Sequence, residues 1–281
     1  MLILGSSVSS APAERVRSTL AVEFDDAWAI DAMFGGAVAT GCVAAARQVC
    51  GEPDLAAVSV SMRYLAPTPP GPATLVIDVL RAGRRFTTVS CEVVVAGRVT
   101  ATALITLAPA SSLATVGSAD GANPPGLPAA ADMGGSLSAV AQRVDWRTGI
   151  NWRGGERRKG DFVSWVRLRD ETADPLDPTR FLVAADLIGP ALAASGLELP
   201  FRVATVTLDV ITIARTAAVW LEQRIRVLTT GTDAGAGAVA DLRLTTPDGQ
   251  VVATALQRAA ILPALDTELP FSVTGFGWGR P

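Results

Sequence analysis

The chain of 281 residues contains no histidine. Ser–His–Asp and Cys–His nucleophilic arrangements are thereby excluded, because each needs imidazole as the proton carrier. Zinc sites that use His are excluded too, and the three cysteines, Cys42, Cys50 and Cys91, fall short of an all-thiolate zinc site. An odd and small number of thiols fits a reducing compartment better than a disulfide framework. Lysine occurs once, at Lys159, and 24 basic side chains stand against 27 acidic ones. That balance lacks the basic excess of a nucleic-acid binder. The uncharged stretch 32–46 is interrupted by Gly35, Gly36 and Gly41. It falls short of the roughly 18–20 apolar residues of a membrane helix. The short apolar run at the N-terminus has no basic residue ahead of it, unlike a signal peptide. Neither a Walker loop nor a dinucleotide-binding glycine loop occurs. The expectation is a soluble, cytoplasmic protein with no metal and no organic cofactor. Its acid–base chemistry must rest on carboxylates, water and polar groups that orient water.

What is present is a globular composition, 49% apolar and 18% charged, with enough chain for a large core. Residues 109–142 are dominated by Gly, Pro, Ser and Ala and read as a linker. They divide the chain into an N-terminal unit, 1–108, and a C-terminal unit, 143–281. In the first unit, 33–49 is Ala-rich and apolar nearly all round, which predicts a buried helix opened by Gly35–Gly36. Strands are predicted over 57–65, around 75–80, over 86–95 and over 98–107, with Ala96–Gly97 as a hairpin turn. The second unit predicts a short helix over 187–196. Strands over 204–214, 219–228, 238–245 and 251–261 follow it.

The two units share one order. Ala101-Thr102-Ala103-Leu104 recurs as Ala253-Thr254-Ala255-Leu256, 152 residues later. Matching the first strands pairs Val58 with Thr207, and matching the helix starts pairs Gly35 with Asp186, offsets of 149 and 151. Three elements at nearly one offset predict an internal duplication. Each copy is a helix followed by four antiparallel strands that wrap it, an α+β arrangement. The copies differ where they matter: Gly35, Val58 and Ile105 in the first stand against Asp186, Thr207 and Gln257 in the second. A carboxylate, a hydroxyl and an amide occur together in one copy only.

Phe34-Gly35-Gly36 with its Ala/Val helix, Ser61-Met62-Arg63-Tyr64-Leu65-Ala66-Pro67, and Val79 through Phe86 resemble the first half of a double-hotdog acyl-CoA thioesterase of the type II, TesB-like family. Ala185-Asp186-Leu187, Thr205-Val206-Thr207-Leu208-Asp209 and Ala253 through Gln257 resemble its catalytic half. The resemblance covers about 20–108 and 160–263. It departs at Asp209, where better-known members often have a His, and at Ala66, where the family has an Arg.

The resemblance implies two tandem hotdog units and hydrolysis of acyl-CoA to free acid and CoA. It implies that Asp186, Thr207 and Gln257 hold and activate one water. Gly35 and Gly36, at a helix N-terminus, are candidates to bind the oxyanion. Arg81, Arg84 and Arg85 are candidates for the CoA phosphates, whereas Arg153, Arg157, Arg158 and Lys159 read as a solvated loop. The acyl chain is expected in an apolar channel between the two helices, and further association into a homo-oligomer is expected. The alternative is a scaffold of the same fold that binds acyl-CoA or an acyl carrier without hydrolysing it. A hydratase or dehydratase, as known in this superfamily, would rely on a His that the chain lacks.

Overall fold

The computed structural model describes residues 2–9, 16–29, 32–52, 54–117, 123–124, 126–128, 138–149, 161–169, 174–195, 201–229 and 237–263. The basic run at 153–159 lies outside them. In the first half, β1 (Leu2–Ser9) and β2 (Val16–Phe24) precede α1 (Gly35–Cys50). After it come β3 (Leu55–Tyr64), β4 (Gly71–Arg81), β5 (Thr87–Val95) and β6 (Arg98–Pro109). The second half holds β7 (Ala114–Thr115), α2 (Ser138–Arg143), β8 (Val144–Arg147), β9 (Phe162–Leu168), α3 (Arg180–Ala185) and α4 (Gly189–Ala194). It ends with β10 (Phe201–Thr212), β11 (Ala214–Arg215), β12 (Leu221–Thr229), β13 (Gly237–Thr245) and β14 (Val251–Pro263).

Twelve strands form one sheet in the order β1-β2-β4-β5-β6-β3-β10-β14-β13-β12-β9-β8, every neighbour antiparallel. The order reads the same from either edge once each strand is replaced by its counterpart in the other half. This is the double-hotdog arrangement, an α+β fold with both helical segments on the sheet. β2 and β9 pack beside their halves as strands that the predicted repeat lacked. The signal for β2 was present: Leu20, Val22 and Phe24 are buried and alternate with exposed Arg17, Thr19 and Glu23.

α1 follows its composition. Val38, Ala39, Cys42, Val43, Ala45 and Ala46 are buried, and Gly51, at φ 67°, ends the helix by giving its N–H to the Arg47 and Gln48 carbonyls. The helix predicted over 187–196 is instead two short pieces on either side of Asp186. Pro190 lies in the first turn of α4, where its missing N–H costs nothing, and so marks a fresh helix start. All three cysteines are free thiols.

The halves join at β3–β10, where Ser61 lies opposite Asp209. Both strands carry a bulge, between Ala57 and Ser59 in β3 and between Thr205 and Thr207 in β10. The bulges are 148 residues apart (205 − 57 and 207 − 59 agree). Ser61 and Asp209 are 148 apart as well, so the pseudo-twofold axis runs through that pair.

α1 also crosses α3 closely. A Cβ on Gly36 would lie 2.6 Å from the Leu182 carbonyl oxygen and 2.7 Å from the Val183 Cα. Those are backbone atoms and cannot swing aside. Gly36→Ala is therefore expected to cost about 1–3 kcal/mol and to lower the melting temperature by several degrees, read by calorimetry.

Candidate active site

The site is built where α1 meets the break between α3 and α4. Asp186 closes α3: its N–H bonds the Val183 carbonyl, and its own carbonyl accepts from Ile188. Two residues earlier, the Ala184 carbonyl accepts from Gln223 Nε2 on β12 at 2.7 Å, and Ser164 on β9 donates to Gln223 Oε1 at 2.7 Å. This buried pair ties the end of α3 to the sheet and leaves Asp186 between the sheet and α1. Phe34, the residue that opens α1, offers no side-chain cap. Asp186 fills that role from the other half: Gly36 N–H donates to its Oδ2 at 2.9 Å.

The other carboxylate oxygen is held by the sheet. Thr205 Oγ1 donates to Asp186 Oδ1 at 2.9 Å and Gln257 Nε2 donates to the same oxygen at 2.6 Å. Gln257 Nε2 also donates to Thr205 Oγ1 at 2.7 Å. An ionised carboxylate only accepts, so the amide nitrogen must face it. That leaves Gln257 Oε1 buried and turned away, with no hydrogen-bond donor among the described residues. Asp186, Thr205 and Gln257 are all nearly inaccessible to solvent. Burial pushes the Asp186 carboxyl from its ordinary value up to about 7, against the lowering effect of Thr205, Gly36, Gln257 and Gly35.

The carboxylate and the amide of the predicted trio thus meet. The hydroxyl that joins them is Thr205, and Thr207 does not. The bulge explains the difference. Leu208 and Val210 point inward, and strict alternation would turn Val206 inward and Thr205 outward. The extra residue shifts the phase, so Thr205 is buried and Val206 is exposed. Thr207 lies opposite Arg63 on the outer face with Asp209. Matched on the bulges, the counterpart of Thr205 is Ala57, not Val58.

Gly35 and Gly36 are at the site, but the Gly36 N–H is committed to Asp186. A buried carboxylate needs donors, and the helix N-terminus supplies them. A Cβ on Gly35 would lie 2.8 Å from Asp186 Oδ2. Both glycines are therefore explained by close approach to the carboxylate and to α3. Arg81, Arg84 and Arg85 are elsewhere. With Gly83, Phe86 and Thr88 they line a cavity of about 680 Å³ at the β4–β5 turn. Thr87 pairs with Leu107 and Leu107 with Ala57, so this turn lies at the Ala57 end of β3. Ala57 and Tyr64 are about 23 Å apart along the strand at roughly 3.3 Å per residue. Only the far end of a long substrate could bridge from Asp186 to these arginines.

A second cavity of about 340 Å³ runs along α1, lined by Ala37, Thr40, Gly41 and Ala44, with Trp28 and Val183 facing them. Ala37 follows Gly36 in α1, so the cavity wall begins one residue from the N–H that meets Asp186, while Asp25, Asp174, Asp177 and Arg180 also line the cavity.

The family model for the acyl-CoA thioesterase N-terminal domain matches residues 24–108, and that for the C-terminal domain matches residues 119–261. The chain belongs to the acyl-CoA thioesterase family. A comparison with curated proteins finds no match. Among solved structures, a hot dog protein from Alicyclobacillus acidocaldarius superposes with a TM-score of 0.67 at 17% identity, over 92% of this chain and 97% of that one. The tesB protein of Mycobacterium avium subs paratuberculosis gives 0.63 at 17% identity, over 91% and 96%. The dehydratase domain of PpsC from Mycobacterium tuberculosis, in complex with C12:1-CoA, gives 0.53 at 19% identity, over 91% and 97%. These likenesses establish the fold, which carries more than one chemistry. No helix among the described residues is long and apolar enough to cross a membrane.

The bulge yields a paired test. Thr205→Val leaves Asp186 without one donor and Gln257 without one acceptor, and should cost about 1–3 kcal/mol in urea unfolding. Thr207→Val, on the outer face, should stay within about 0.5 kcal/mol of the parent.

Proposed function

We propose that this thioesterase hydrolyses acyl-CoA by direct attack of a water that Asp186 deprotonates, with Thr205 and Gln257 holding the carboxylate and the water in place. The observation that carries the reading is the pairing of a buried carboxyl titrating near neutrality with a buried amide oxygen, Gln257 Oε1, that is free to accept. A water seated between Asp186 and Gln257 Oε1 gives one hydrogen to each. Its lone pair is then directed at whatever lies above them. A base with a pKa near the working pH takes a proton most effectively.

The water oxygen bonds to the thioester carbonyl carbon as its proton passes to Asp186. The tetrahedral intermediate collapses, the C–S bond breaks, and the proton returns from Asp186 to the departing sulfur. CoA thiolate is a good leaving group, so no stronger acid is required. The N-terminal pole of α1 lies beside the reacting point and favours negative charge there. The acyl chain extends into the cavity along α1, from Ala37 toward Ala44, a length of about 10 Å at roughly 1.5 Å per residue.

Asp186→Asn keeps the shape of the site and removes the base. Turnover of an acyl-CoA panel should fall by about 10²–10⁴-fold, while binding of the substrate persists. In the parent, kcat/KM should rise with pH through about 7, because only the ionised form accepts a proton and its fraction grows as pH passes that value. Equal rates in parent and Asn variant would remove Asp186 from the mechanism, and saturable binding without turnover in the parent would make the chain a binder.

Ala44→Leu tests the acyl cavity separately. It should lower kcat/KM for long acyl chains by about tenfold or more while sparing short ones, since about 1–3 kcal/mol attaches to a misplaced hydrocarbon group.

A further inference from the structure

The chain has a single tyrosine, Tyr64, the last residue of β3. It is buried, and its Oη donates to the Gly35 carbonyl oxygen at 2.7 Å. That carbonyl belongs to the same peptide group as the Gly36 N–H, which donates to Asp186 Oδ2 at 2.9 Å. In a trans peptide the C=O and N–H point in opposite directions. Phenol, peptide and carboxylate therefore stand in series, O–H···O=C–N–H···O. A donor on the carbonyl draws electron density toward oxygen and makes the N–H a stronger donor. Such chains strengthen each bond by roughly 10–30%.

The fold does not require an aromatic hydroxyl here. The counterpart of Tyr64, 148 residues on, is Thr212 at the end of β10. Nor does the hydrolytic step described above use it. The groups around the series are few. α1 contributes Cys42, which faces Tyr64, and β5 contributes Cys91, which faces Cys42. Thr205 from β10 and Gln257 from β14 are uncharged. Burial first, then Asp186 and Cys42, hold the phenol well above its ordinary titration range, so it remains a donor at working pH.

We propose that Tyr64 is a positioning residue of the hydrolytic site: through the Gly35–Gly36 peptide it fixes and strengthens the donor that faces Asp186, and so sets how readily Asp186 accepts the water's proton. The inference rests on the assignment of Asp186 as the base.

Tyr64→Phe removes the hydroxyl and keeps the ring. Without the polarised N–H the carboxylate is less stabilised, so its titration should move to higher pH. The acid limb of kcat/KM should shift up by about half to one pH unit. Below the limb the variant should be about three- to tenfold slower, and above it the deficit should close, with KM unchanged. A loss of activity equal at every pH, or no change at all, overturns the proposal, because a side chain that only fills space would not move the limb. Carbon-13 titration of the Asp side chains, with Asp186→Asn to assign the signal, reads the same shift without turnover. An upward shift in Tyr64→Phe supports the coupling even if the parent hydrolyses no acyl-CoA, an outcome that would overturn only the hydrolase reading. An unmoved signal in an active parent overturns the coupling alone.

Discussion

A carboxylate buried at the seam of two halves has to be held by donors that neither half supplies alone. Asp186 takes one from α1 of the first half and two from β10 and β14 of the second. Desolvating an ion costs several kcal/mol even after the protein relaxes, and here that cost raises the carboxyl to about 7. Much of the local architecture follows from meeting it. α1 must bring its N-terminal N–H groups to the carboxylate, which forbids a side chain at Gly35. It must cross the backbone of α3 at close range, which forbids one at Gly36. α3 must stop at Asp186, and Gln223 satisfies the carbonyl that this end leaves open. In return, α1 receives the cap that Phe34 does not give.

The duplicated fold offers this arrangement twice, and the chain equips it once. Thr205 and Gln257 correspond through their strand registers to Ala57 and Ile105, both buried and apolar. The first copy kept a hydrocarbon core at these positions, where the second put a hydroxyl and an amide. A single hydroxyl or amide there would be a buried polar group without a partner, worth about 1–3 kcal/mol against stability. With the carboxylate and each other, the hydroxyl and the amide nitrogen are satisfied, and only the amide oxygen is left to accept. The polar groups are stable only as a set, which is why they occur together in one half.

The same logic bounds what could be read from residues alone. Gln257 was legible because β6 and β14 keep one offset from the Ala-Thr-Ala-Leu repeat to the site. Asp186 was legible from the match of the two helix starts, although its helix was misplaced: a Pro in the first turn restarts a helix, and periodicity reads across such a break. Thr205 was not legible. Thr205 and Thr207 share a face in any unbroken strand, and the choice between them turns on a bulge that no composition signal announces. Tyr64 gave no signal either, because its role lies in the opposite ends of one peptide group. β2 shows the reverse case, a clean alternation whose place before the helix hid it from a repeat defined as beginning there.

The departure at Asp209 can now be placed. It lies on the pseudo-twofold axis and on the outer face, where it accepts hydrogen bonds from Ser61 and from Arg63, the latter at 2.9 Å. Leu208 and Val210 on either side point inward. Asp209 is thus separated from Asp186 by the sheet itself, and its charge is partnered across the seam of the two halves. The missing histidine is accordingly no gap in the inward-facing set, which is complete in hydrogen bonds around the carboxylate. The dehydratase domain that shares this fold shows that the scaffold alone does not choose a reaction. What distinguishes this chain's second half from its first is a carboxylate at the end of α3 met by two side chains of the sheet, and a strand bulge that selects one threonine over its neighbour two residues on.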